Sequence, residues 1–129
     1  MKQNLLKIIL VFASLGLMLI SVTLGMAKGK KIAQSRLVVQ NFKALNSALQ
    51  YAYSDMDRFP QATEFSNADL MKNYITPFPL PEFVSGTCPQ NWVYRRISQS
   101  SYELNFCLPQ ADEEYSAGWN KFSGTPLQE

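Results

Sequence analysis

The sequence predicts an α+β protein in which one long N-terminal helix, apolar in its first half and amphipathic in its second, packs on a small antiparallel sheet. Three observations predict it. Residues Ile8 to Ala27 read IILVFASLGLMLISVTLGMA, without a charge. Residues Ile32 to Asp57 carry an apolar and a polar stripe at helical spacing. Two short segments, Trp92–Ile97 and Tyr102–Leu108, alternate at the period of a strand. They divide the chain into a membrane anchor over 1–27, an amphipathic stem over 28–60 and a small head with a β-hairpin over 61–129.

The uncharged run is long enough to cross about 30 Å of hydrocarbon as a helix. Lys7 bounds it on one side, and Lys28, Lys30 and Lys31 on the other. A cleaved secretory signal is the alternative, since Gly25-Met26-Ala27 is a small-x-small ending, but the run exceeds the roughly 7–15 residues of a signal's apolar core. Ser21, Gly25 and Gly29 recur every fourth residue and share one face, where a second helix could approach closely; glycine is also simply common in membrane helices.

In the stem, Val38, Phe42, Leu45, Leu49, Ala52 and Met56 form the apolar stripe, and Arg36, Gln40, Lys43, Ser47, Gln50, Ser54 and Asp57 the polar one. The period would also suit a short coiled coil, but packing on the chain's own sheet is the simpler expectation. Pro60 is expected to end the helix. Arg58 is placed to offset Asp55 and Asp57, which the helix dipole disfavours at this end.

Beyond the stem, a short helix is expected over Ser66–Tyr74, capped by Ser66 with Asp69 in its first turn. Pro77, Pro79 and Pro81 then make a stiff connector; a PxxP-type ligand is the less economical account. In the two strands, Trp92, Tyr94 and Arg96 share a face, as do Tyr102, Leu104 and Phe106, and Ser98–Ser101 supplies the turn. The hairpin brings Cys88 and Cys107 close, which makes a disulfide geometrically sensible; two buried thiols are the alternative. Tyr115, Trp119 and Phe122 are expected to pin the tail to the head.

Composition narrows the chemistry. There is no histidine, which removes the commonest general base, and two cysteines cannot build a four-ligand zinc site. No enzymatic activity is expected. The first 36 residues hold six bases and no acid, and the rest hold six bases and ten acids, so nothing downstream resembles a nucleic-acid-binding stripe. Asp112, Glu113 and Glu114 offer oxygens to Ca²⁺, but without EF-hand spacing a solvated loop is the simpler account, and no cofactor is expected. The positive residues after the apolar run argue for a cytoplasmic head, whereas the cysteine pair argues for one outside.

The stretch KKIAQSRLVVQNFKALNSALQYAYSDMDRFP, from Lys30 to Pro60, resembles the stem of type IV pilins and type II secretion pseudopilins, especially the major pseudopilin class. There a helix with an L-x-x-A-L-x-x-Y core ends in D-x-x-R-[YF]-P. The matching residues are Leu45, Ala48, Leu49, Asp55, Arg58, Phe59 and Pro60, with Ala52 where an aromatic often sits. The Tyr74–Pro81 loop, Tyr94 with Tyr102–Phe106, and the Tyr115–Gly118 and Gly124–Pro126 segments resemble the rest of a small pilin head. The N-terminus departs from that pattern. Ser21 stands where the family's glutamate belongs, and the glycine nearest to a prepilin cleavage site, Gly16, lies inside the apolar run.

The resemblance implies a structural or assembly protein of a pilus- or pseudopilus-like envelope system, self-associating or meeting other pilin-like subunits through its N-terminal helix. It also implies a single-pass protein of the cytoplasmic membrane with its head periplasmic or extracellular. The alternative is a membrane-anchored binding or accessory module that does not polymerise.

Overall fold

Leucine, alanine and lysine, all good helix formers, are the commonest residues among the first 56 and no proline interrupts them, so helix is the favoured state there. The computed structural model, which describes residues 2–79 and 87–128, has one α-helix here, α1, over Lys2–Met56. Two single-turn helices follow, α2 (Ala62–Phe65) and α3 (Ala68–Met71). Four strands complete the order: β1 (Trp92–Ser98), β2 (Ser101–Leu108), β3 (Gly118–Asn120) and β4 (Ser123–Gly124). The fold is α+β. Contacts divide the chain into Met1–Lys31 and Ile32–Glu129, so stem and head form one compact unit.

In the first unit, no described side chain from residue 2 to residue 30 is buried. Phe12 is 71% exposed and Leu17 67%. Among the described residues, α1 is the one helix long and apolar enough to cross a membrane.

In the second unit, the apolar stripe of the stem meets one face of the sheet. Val38, Phe42, Leu45, Ala48, Leu49 and Ala52 are buried, as are Tyr102, Leu104, Phe106 and Leu108 of β2. Aromatic rings join the layers: Phe42 stacks on Phe106 at 4.3 Å between centroids, and Phe59 meets Tyr102 edge-on at 4.6 Å. Ser35, buried on the same stem, donates to the carbonyl of Gln110 at 2.7 Å and accepts from its N–H at 3.0 Å. One hydroxyl thus satisfies both backbone groups of that residue and ties the stem to the end of β2.

β1 and β2 form an antiparallel hairpin in which Tyr94 faces Leu104 and Arg95 faces Glu103, with an irregularity before Ser98. The tail supplies two further strands, which the sequence did not disclose. β3 pairs with the end of β2 and β4 with its start. Between them the carbonyl of Phe122 accepts from the Leu104 N–H at 2.9 Å while its ring lies against Phe42 at 5.1 Å. Gly124 is required at the closing pair, because a Cβ there would overlap the ring of Tyr102.

Several expectations are corrected. α1 ends at Met56, before Pro60, because Asp57 takes a left-handed conformation (φ 55°) while its N–H still donates to the Tyr53 carbonyl. The short helix expected over Ser66–Tyr74 covers Ala68–Met71, and its cap is Asn67, whose side chain accepts from the N–H groups of Asp69 and Leu70. Ser66 closes α2 instead. Arg58 pairs with neither aspartate. Tyr115 and Phe122 pack on the core as expected, but Trp119 is 47% exposed on the sheet's other face, opposite Cys107. Of the proline connector, Pro77 and Pro79 are described, and Pro81 lies outside the described residues.

Candidate functional site

Of the residues that carried the family likeness, Asp55, Arg58, Phe59 and Pro60 lie where the chain leaves the stem. Leu45, Ala48 and Leu49 point into the core. The left-handed turn at Asp57 then reverses the chain and drops Phe59 and Pro60 into buried positions. Phe59 is held on three sides. Its N–H donates to the Gln99 carbonyl in the hairpin turn at 2.8 Å, its carbonyl accepts from Arg96 at 3.3 Å, and its ring meets Tyr53 and Tyr102. The Tyr94 hydroxyl donates to the Pro60 carbonyl at 2.6 Å.

Arg58 makes a two-pronged pair with Glu64, both contacts at 2.8 Å. Glu64 also accepts from the Gln61 N–H at 2.7 Å, closing a capping box around α2. Asp55 accepts from the Tyr74 hydroxyl at 2.7 Å, so the last turn of the stem is tied to the loop after α3. That bond raises the Tyr74 pKa above its usual value. Burial raises the pKa of Tyr94, and it pushes that of Tyr102 up to about 12; the Tyr102 hydroxyl donates to the Asn46 side chain. The hydroxyls of these tyrosines donate hydrogen bonds to Asp55, to the Pro60 carbonyl and to Asn46.

The hydrogen bond from Arg58, reinforced by the Gln61 N–H, lowers the Glu64 pKa from 4.5 to about 2. A depressed carboxylate contributes stability that is present above pH 4.5 and is lost as pH falls toward 2. The pair is partly exposed, so solvent screening makes the effect modest. Thermal melts of wild type and Glu64→Gln are therefore expected to differ by a constant amount above about pH 5 and to converge as pH drops to about 2. A difference that does not change with pH would contradict this.

On the outer face of the sheet Glu103 bridges Arg95 and Lys121, each at 2.9 Å, and both lower its pKa, Lys121 the more. Cys88 and Cys107 are joined, with Cα atoms 5.5 Å apart. The bond anchors the segment before β1 to the far end of β2.

The acidic run is used internally. The Asp112 carboxylate accepts from the N–H groups of Glu114 and Tyr115 at 2.9 and 2.6 Å, and Glu114 pairs with Lys43 at 3.5 Å. Among the described residues no group of three His, Cys, Asp or Glu side chains could hold a metal ion.

In the first unit the small-residue face is open. A Cβ at Gly25 or Gly29 would meet nothing within 4 Å, and the Ser21 hydroxyl bonds back to the Leu17 carbonyl at 2.9 Å, leaving no polar group reaching outward from it. Comparison with protein-family models, with curated proteins and with solved structures gives no match.

Proposed function

We propose that this chain is a non-enzymatic, pilin-like structural or assembly subunit, anchored by the apolar half of α1 and presenting a disulfide-locked head outside the cytoplasm. The observation that carries the proposal is the continuity of α1. A helix whose exposed apolar segment can cross a membrane runs on as the stem that the sheet packs against. The stem-exit joint supports it, because Asp55, Arg58, Phe59 and Pro60, the residues of the pilin-like motif, each make a specific contact there. The disulfide supports an oxidising compartment.

Assembly would use the open face of Ser21, Gly25 and Gly29 against another copy or a related helix. Cysteine substitution at Gly25, followed by oxidation in native membranes, is expected to give crosslinked dimers, while Cys88 and Cys107 remain paired within the chain. A uniformly monomeric product would favour the second reading, an accessory module that does not polymerise. One observation favours that reading now: no acid occurs in α1 before Asp55, so the family's glutamate-mediated docking has no counterpart.

A further inference from the structure

β1 pairs along one edge, with β2. The Cys107 N–H donates to the Asn91 carbonyl, and Leu104, which stands opposite Tyr94, turns its N–H the other way, to the Phe122 carbonyl. Hydrogen-bonded and non-hydrogen-bonded pairs alternate along an antiparallel ladder. Val93 and Arg95 therefore direct their backbone groups at β2, while those of Trp92, Tyr94 and Arg96 point away from the sheet. Among the described residues these outward groups meet no backbone partner.

A cavity of about 430 Å³ touches Trp92, Val93 and Tyr94 together. Successive side chains of a strand point to opposite faces, so a cavity that meets all three lies at the strand's edge. β2 occupies one edge, which leaves the free one. Phe65 and Phe78 also line the cavity, and Phe65 stacks on Tyr94 at 4.2 Å. Its size falls within the roughly 300–1,000 Å³ of ligand sites. Unpaired N–H and C=O groups at strand spacing are matched by a second extended polypeptide, and an aromatic-lined cavity beside them takes an apolar side chain of that strand.

Charge selects among such strands. The Arg96 guanidinium donates to the Phe59 carbonyl at 3.3 Å, and among the described residues no carboxylate pairs with it. Arg95, whose side chain is 67% exposed, shares Glu103 with Lys121, two cations to one anion. We propose that the free edge of β1 binds an extended segment of a partner protein by strand addition, with an apolar residue beside Trp92 and Tyr94 and carboxylates beside Arg95 and Arg96. The same arginines discourage pairing with strands that lack acids. A second copy's β1 carries the same two arginines and no acid, so it is the poorer fit. The proposal concerns the head and does not depend on the reading of α1 as an anchor.

The test uses the full chain, labelled with nitrogen-15, in detergent micelles. The probes are the peptide Thr-Glu-Glu-Thr-Val-Thr-Val and its reverse, which cover both strand directions. In the free protein the amides of Trp92, Tyr94 and Arg96 are expected to exchange with deuterium faster than those of Val93 and Arg95. One of the two peptides should shift the resonances of those three amides and slow their exchange. Lysine in place of both glutamates should weaken binding roughly tenfold, and Arg95→Gln/Arg96→Gln should weaken the glutamate peptide roughly fivefold. Failure of both peptides to bind at millimolar concentration would overturn the proposal. Binding that leaves the three amides unprotected would overturn strand addition. Equal affinity of the wild type for the glutamate and lysine peptides would overturn the charge selection, and that comparison needs no variant to fold.

Discussion

Phe106→Ala is expected to unfold the head or leave it on the edge of unfolding, with a loss of about 3–5 kcal/mol. Phe106 is 1% exposed. It stacks on Phe42 of the stem at 4.3 Å and meets Tyr115 of the tail edge-on at 4.9 Å, so one ring touches helix, sheet and C-terminal segment. Truncation removes the transfer energy of the ring and leaves a cavity between layers that the rigid stem cannot close. A domain of this size has about 5–15 kcal/mol in total, so the loss is a large fraction of it. Urea melts followed by far-ultraviolet circular dichroism would show it. A loss below about 1 kcal/mol would mean that the stem does not pack on the sheet as described.

The second large effect is expected from the disulfide. Cys88 and Cys107 are 19 residues apart in sequence. Closing a loop of that size stabilises the fold by about 3 kcal/mol, chiefly by restricting the unfolded chain. Cys88→Ala/Cys107→Ala should therefore lower Tm by roughly 15 °C. Reduction of the wild type should lower it by a similar amount. A Tm insensitive to both would show that the segment before β1 is held by other contacts.

The parts of the fold with strong periodicity were legible in the sequence. The stem stripe from Val38 to Ala52 could be read because burial on one side demands a 3.6-residue repeat. Tyr102, Leu104 and Phe106 alternate because one face of β2 is core. The tail was not legible. β3 and β4 are three and two residues long, too short to show a period, and they exist because β2 offers them an edge. Trp119 suggested a core anchor by its size, but register with Cys107 places it on the outer face. The adjacent cap formers Ser66 and Asn67 cannot be ranked by type alone. The buried Ser35 gave no signal, since its value depends on Gln110, 75 residues away.

The joint was half legible. Asp55, Arg58, Phe59 and Pro60 stood out as a motif, yet their partners Tyr74, Glu64, Gln99 and Tyr94 come from a loop, the short helix α2, the hairpin turn and β1. The turn at Asp57 explains why Pro60 is not the stop. The left-handed residue has already reversed the chain, and Pro60 is free to serve as a buried acceptor for Tyr94.

The most direct measurement is the intact mass of the protein extracted from its native membranes, before and after reduction with thiol alkylation. Retention of the apolar half of α1 with a head outside the cytoplasm predicts the full-length mass and no alkylation until the disulfide is reduced. A mass beginning after Ala27 would contradict the membrane anchor, and thiols that alkylate without reduction would contradict the placement of the head.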